Sequence, residues 1–259
     1  MDAESINARF QLAQEVIQEA GQLALTFHAD LSSLTIRHKG PQDLVSEADQ
    51  QVEEHIRQRI VAAFPEDGFV GEETGSADGR EAVWIVDPID GTQDFLLGFP
   101  TWCVSIALVT GEQMQFGLIT SPTTGDTYSA RSGAGAHLNG RPIHAATASS
   151  LSQGVTGVGY SQHTSTADLT TIMTRLAEGG GNFRCVGSGA LMIVWVATGQ
   201  CLGYVETHIN AWDCMAALCI VKEAGGRTSP FLSEFGPNGG GRVVAAAPLL
   251  YEAMESLLP

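Results

Sequence analysis

Apolar residues return at steps of three and four near the start of the chain, at Ile6, Phe10, Ala13, Ile17, Ala20, Ala24 and Phe27. That spacing predicts one long helix with a single buried stripe, and Ser5 stands where an N-cap is expected. A second amphipathic helix is predicted over 46–63, with Val52, Ile56 and Ile60 on its inner face and Pro65 just past its end. The texture then changes. Residues 82–86 are a short strand run, and 102–109 and 115–119 read as two strands joined around Gly111. Glycine-rich turns punctuate further short strands up to Gly140. Beyond Ser150 the rhythm alternates, with strands predicted at 155–158, 184–186, 202–205 and 242–246. Helices are predicted at 166–178, 190–198, 212–224 and 248–258, the third of them stopped by Gly225-Gly226. The pattern predicts a layered α/β chain. Its first half, 1–145, leans antiparallel, its second half, 146–259, alternates, and the two are fused in one compact unit.

Composition narrows the classes. With 259 residues, 44% hydrophobic and 16% charged, the chain can bury a substantial core. Twenty-nine acidic against 13 basic residues give a net charge of −16. Such a surface repels phosphate backbones, so no direct nucleic-acid partner is expected. An anionic substrate would need local cations, which the same carboxylates would hold. The five cysteines, Cys103, Cys185, Cys201, Cys214 and Cys219, form no CxxC pair and sit in apolar stretches. They are expected to be buried free thiols in a reducing cytoplasm. Charges at Asp2, Glu4, Arg9, Glu15 and Glu19 break any signal-peptide core, and the apolar runs 190–197 and 214–221 are too short to span a bilayer. A soluble protein without a membrane partner is expected.

The chemistry starts where the apolar run 83–86 meets Asp87-Pro88-Ile89-Asp90-Gly91-Thr92. Two carboxylates at the end of a buried strand occupy the usual place of α/β active sites. Pro88 stiffens the turn and Gly91 allows a tight backbone, so Asp87 and Asp90 can converge with the Ile89 carbonyl between them. Oxygen-only ligands suit Mg²⁺ or Mn²⁺, and no Cys/His spacing points to zinc. Thr92 opens a helical turn whose free N–H groups can receive a phosphate. The same residues are also good chemistry for a plain solvated turn. Their company favours a metal site: Gly71-Glu72-Glu73 follows the apolar pair Phe69-Val70, and Asp213 begins an otherwise apolar helix after Ala211-Trp212. Asp213 alone would serve equally as a helix N-terminal acid.

Taken together, Gly71-Glu72-Glu73, Asp87-Pro88-Ile89-Asp90-Gly91-Thr92 and Trp212-Asp213 resemble the inositol monophosphatase family of lithium-sensitive, metal-dependent phosphatases. The resemblance covers nearly the whole chain. It takes in Lys39 and Asp43-Leu44-Val45-Ser46-Glu47-Ala48-Asp49 upstream, Gly187-Ser188-Gly189-Ala190 downstream, and Glu206 seven residues before Asp213. It implies an αβαβα sandwich, also found in fructose-1,6-bisphosphatases, with two or three Mg²⁺ ions and a homodimer. By that similarity Glu72, Asp87 and the Ile89 carbonyl hold one ion, and Asp87, Asp90 and Asp213 hold a second. Asp49 and Thr92 orient or deprotonate the attacking water, with Asp49 and Glu72 supporting a weaker third ion. Gly91 and Thr92 bind the phosphate, while Ser188, Gly189 and Glu206 face the alcohol.

Two departures from the family pattern stand out. Asp94 adds an acid where the family commonly carries an amide, and is expected to modulate metal affinity. Asn210 stands where animal enzymes have His, and Ser188-Gly189 replaces a Thr-Ala pair. The expected reaction is hydrolysis of a small phosphate monoester, with inositol 1-phosphate first and histidinol phosphate as the alternative, because Glu206 would suit its amine. A sugar bisphosphate would need basic residues for its second phosphate, and only Arg184 offers itself. A 3′-phosphoadenosine nucleotide finds no aromatic or basic cluster. A different class of role, a protein-binding regulator on the same fold, is what some bacterial relatives play with transcription machinery. His28 and His55 are expected on helix surfaces, and Cys214 as a small core residue.

Overall fold

The computed structural model describes residues 1–40, 43–75 and 80–259, without the side chains of Ser33, 36–40 and 43–45. Lys39 and the stretch 43–45 of the motif therefore have no described side chains. The chain opens with the long helix α1 (Ala3–His28), capped by Asp2, whose carboxylate accepts the Ser5 N–H. Ser5 was the expected cap, and it lies within the first turn instead. A small hairpin, β1 (Ile36–Gly40) with β2 (Asp43–Ser46), leads into α2 (Glu47–Ala63). Ser46 and Asp49 close α2 with a reciprocal capping box.

A seven-stranded sheet follows in simple spatial order: β3 (Gly68–Gly71), β4 (Ala82–Asp90), β5 (Cys103–Thr110), β6 (Gln113–Ser121), β7 (Asp126–Arg131), β8 (Ala136–Leu138) and β9 (Arg141–Ile143). Only the β3–β4 pair is parallel. The short helix α3 (Thr92–Leu96) follows β4 directly. The remaining elements are β10 (Val155–Val158), α4 (Thr166–Glu178), β11 (Asn182–Arg184), α5 (Gly189–Ala197), β12 (Gly203–Asn210), α6 (Ala211–Glu223), β13 (Arg227–Thr228), α7 (Phe231–Phe235), β14 (Gly240–Ala246) and α8 (Tyr251–Glu255). Their strands form a second sheet in the order β11-β10-β12-β14-β13. Two expectations shift here. The strand expected at 184–186 lies two residues earlier, and 248–258 divides into a 3₁₀ turn and the short α8.

These elements stack in five layers. Val16, Ile17, Val52 and Ile56 of α1 and α2 pack on Trp84, Ile106 and Phe116 of the first sheet. The other face of that sheet packs on α5 and α6, which are apolar almost all round because the second sheet covers them from behind. Ile172 and Leu176 of α4 and Met254 of α8 close the outer face against Val158, Val205 and Val244. The result is the αβαβα sandwich. Contact between sheet and helix is closest at Gly117 of β6, where a Cβ would lie 2.3 Å from the Ala216 carbonyl oxygen and 2.8 Å from its Cα. Neither atom can move without shifting α6. Gly117→Val is therefore expected to cost about 3 kcal/mol of stability by overpacking, read as a lowered denaturant midpoint. An unchanged midpoint would contradict this packing.

Candidate metal centre

The expected strand end at residue 86 is not where β4 stops. The strand runs on to Asp90, and the ladder to β5 pairs Asp87 with Ser105 but Asp90 with Cys103. Three steps along β4 thus oppose two along β5, which is a bulge. In a regular strand, residues three apart face opposite sides. The extra residue turns Asp87 and Asp90 toward one side. Pro88 falls inside the bulge, where a missing N–H breaks no ladder bond. The Ile89 N–H donates to Asp87 Oδ1 at 3.0 Å, and the Ile89 side chain is fully buried as an anchor. Gly91 has φ of 92°, and a Cβ there would stand 2.9 Å from the Thr101 carbonyl, so the turn into α3 requires glycine.

The third acid comes from the middle layer. Asp213 lies in the first turn of α6 and accepts the Asn210 N–H at 3.0 Å, closing the helix start. Its helix-capping reading and its site reading therefore coexist. One carboxylate oxygen from each of Asp87, Asp90 and Asp213 lies within 4.8 Å of the others. Asp90 Oδ2 also receives the Ala190 N–H at 2.8 Å and the Ser188 hydroxyl at the start of α5. Glu72, just past the end of β3, lines the same cavity, and its charge acts on Asp87.

Electrostatically this cluster is unsatisfied. Burial, then the charges of Glu72, Asp90 and Asp213, raises Asp87 far above the usual carboxylate range. Burial and the Asp213 charge push Asp90 up to about 7, against the pull of the Ser188, Ala190 and Gly189 donors. Burial raises Asp213 as well. Among the described residues no lysine or arginine lines the cavity. Three converging acids with Glu72 in the same lining, all of them oxygen donors, fit hard divalent cations.

Around them, Thr92 Oγ1 lies 3.3 Å from Asp49 Oδ1 and 3.1 Å from the Ile89 carbonyl. Asp49 is buried, and its Oδ2 accepts the Ser46 N–H and hydroxyl at 2.8 and 2.6 Å. The cavity measures about 450 Å³ and reaches from Gly91 and Thr92 past Gly189 to Glu206. Glu206 is 4% exposed, accepts the Tyr204 hydroxyl at 2.5 Å, and is pushed by burial to about 8.

Several expectations need correction. Ser188 is fully buried behind Asp90 and does not face the cavity; its hydroxyl supports a carboxylate instead. Asp94 accepts the Thr101 hydroxyl and, at 3.0 Å, the Gly187 N–H, so it ties α3 to the approach to α5. Cys185 is exposed, unlike the other four thiols. His28 is wedged against Phe95 and Trp102, with ring centroids 5.2 Å from each. Arg184 does not line the cavity. The far wall carries an aromatic group with no sequence signature: Tyr160, His163 and His208, the two imidazole centroids 4.4 Å apart. His208 comes from β12, far in sequence from Tyr160 and His163, so no local motif announces the group.

The sequence pattern that defines the inositol monophosphatase family matches residues 3–258. The chain belongs to the inositol monophosphatase family. Among the relatives of this family member, inositol monophosphatase 1 of Solanum lycopersicum is 38% identical over 85% of this chain and 84% of its own. A histidinol-phosphatase of Chlorobaculum parvum is 37% identical over 83% of each. The solved structure of extragenic suppressor protein suhB from Bartonella henselae superposes with a TM-score of 0.90 at 26% identity, covering 96% of this chain and 98% of that one. Membership makes the protein a phosphoric monoester hydrolase of a metal-dependent family, and the acidic cluster is its candidate metal site. No helix among the described residues is long and apolar enough to cross a membrane.

Proposed function

We propose that this protein hydrolyses inositol 1-phosphate to inositol and phosphate with Mg²⁺, or Mn²⁺ in its place. The convergence of Asp87, Asp90 and Asp213 beside the Gly91-Thr92 turn carries the reading. Glu72, Asp87 and the Ile89 carbonyl would hold one ion, Asp87, Asp90 and Asp213 a second, and Asp49 with Glu72 a weaker third. When bound, such ions neutralise phosphate charge, make a water more acidic and stabilise the leaving alkoxide.

The protein's own groups do the rest. The Thr92 hydroxyl donates to Asp49 Oδ1, so its lone pairs are free to take the proton of an attacking water. Asp49 is suited to receive the relayed charge, since burial raises its affinity for a proton. The Gly91 and Thr92 amides cradle the phosphate. Because α3 spans only five residues, its dipole adds little and the cations carry most of the neutralisation. Gly189 and Glu206 face the alcohol, where Glu206 accepts hydrogen bonds from ring hydroxyls.

A polyol bearing one phosphate suits a cavity whose far end holds the Glu206 carboxyl and no described cation; a second phosphate would find no counter-charge among the described lining residues. Histidinol phosphate is the second reading, favoured by the buried Glu206 carboxylate, which would pair with an amine. Phosphate release from a panel of monoesters, with Mg²⁺ and with or without Li⁺, tests both. Inositol 1-phosphate is expected to exceed fructose 1,6-bisphosphate in kcat/KM by about 100-fold, and Li⁺ to inhibit. Glu206→Gln should spare inositol 1-phosphate, whose hydroxyls still find an acceptor, and hurt histidinol phosphate. If the bisphosphate proved the better substrate, the inositol assignment would fall.

A further inference from the structure

Glu53 is a fully buried carboxylate with no place in the reaction described above. It lies on α2 one turn after Asp49, and in the described structure no basic side chain meets it. Its two oxygens have separate partners. Oε2 accepts the Glu73 N–H at 2.9 Å, and Oε1 accepts the Thr74 hydroxyl at 2.6 Å. The backbone at Gly71 comes so close that a Cβ there would stand 2.4 Å from Oε2. Residues 71–75 themselves form a tight turn, closed by paired Gly71–Gly75 backbone bonds of 3.3 Å each way. Within that turn is Glu72, next to Gly71, which is in register with Val86 immediately before Asp87.

We propose that Glu53 is a positioning residue for the metal centre: it docks the 71–75 turn onto α2 and so holds Glu72 against Asp87. The β3–β4 ladder places Gly71 and the Gly71–Gly75 bonds close the turn, while Glu53 alone among the named contacts ties its Glu73–Thr74 side to α2. Glu53 supplies acceptors to two successive residues just after Glu72, which fixes the direction in which that side chain leaves the backbone. A single helix thereby sets two parts of the site, Asp49 directly and Glu72 through Glu53. Outer groups that orient ligands in this way are worth about 10- to 100-fold in metal affinity.

The inference rests on the metal-dependent reading of the same site, and its test separates the two. Mg²⁺ and Mn²⁺ binding to the purified 259-residue chain would be followed by calorimetry, alongside Tm and the Mg²⁺ dependence of phosphate release. Glu53→Leu keeps the volume and removes both acceptors; a 10- to 100-fold rise in metal Kd is expected, with substrate KM at saturating Mg²⁺ little changed. Since that variant can fail to fold, Thr74→Val provides a milder one on the exposed turn. It removes one hydrogen bond and is expected to weaken metal binding roughly fivefold, while Thr74→Ser restores it. A wild-type protein that binds no divalent ion would defeat the metal reading itself. A wild type that binds metal, with Thr74→Val matching it in Kd while only Tm falls, would leave Glu53 a structural anchor and overturn this proposal.

Discussion

Asp90→Asn is expected to lower kcat/KM for any phosphate monoester by about a thousandfold while leaving the protein folded. Asp90 is 7% exposed and aims one oxygen at the cluster while the other takes the Ala190 N–H and the Ser188 hydroxyl. An asparagine keeps the size, and with its carbonyl oxygen in the place of Oδ2 the Ala190 N–H and the Ser188 hydroxyl keep their acceptor. The ionic ligand is lost. Charge stabilisation by a catalytic cation is worth several kcal/mol, and each 1.36 kcal/mol is tenfold in rate. Without metal, the variant should melt above the wild type at pH 8, since one member of a repelling buried group is gone. Steady-state kinetics with Mg²⁺ and melting in chelator check the two halves. Activity within tenfold of wild type would remove Asp90 from the site. The same variant separates catalysis from any protein-binding role, which would survive it.

Metal removal should produce a stability that falls with rising pH, and Mg²⁺ should restore it. Asp87, Asp90, Asp213 and Glu206 are all raised in the folded protein, Asp90 to about 7 and Glu206 to about 8, chiefly by burial. The folded state then binds protons that the unfolded chain has released. That contribution is complete below the unfolded values near pH 4 and is lost as pH climbs through about 7 to 8. Divalent cations favour the ionised carboxylates and oppose the loss. At a concentration a hundred times Kd, each bound ion adds about 2.7 kcal/mol, or roughly 5–10 °C in Tm for a chain of this size. At pH 5 the gain should shrink, because protons compete for the same oxygens. Melting curves from pH 5 to 8, with chelator or Mg²⁺, read this directly. A chelated protein equally stable across that range would show that these acids do not form a strained cluster.

The helices were legible because period and punctuation agree. The stripe from Ile6 to Phe27 buries as the spacing requires, and Ser46 with Asp49 forms the start of α2. Helix 166–178 was readable from its residues alone, with Ser165 accepting the Asp168 N–H to cap it. The end of β4 was not legible. Pro88 and Gly91 read as a turn, and only pairing with β5 shows that the strand continues through a bulge. Ser188 was misplaced for a related reason: its neighbours face the cavity, but the start of α5 rotates its hydroxyl behind Asp90. Glu53 carried no signal at all, since an acid in an amphipathic helix ordinarily points to water.

What the sequence determined by itself is the inventory of chemistry: carboxylate oxygens without a Cys or His pattern, a glycine turn at Gly91-Thr92, and the acid in the first turn of α6. Those follow from residue type and from local capping and turn rules, which act over a few positions. Only the tertiary structure decided how the acids meet. The bulge turns Asp87 and Asp90 to one side, the sandwich brings Asp213 from the middle layer to within 4.8 Å, and burial raises their proton affinity. Convergence and desolvation depend on which layers pack together, and no window of the chain contains both partners.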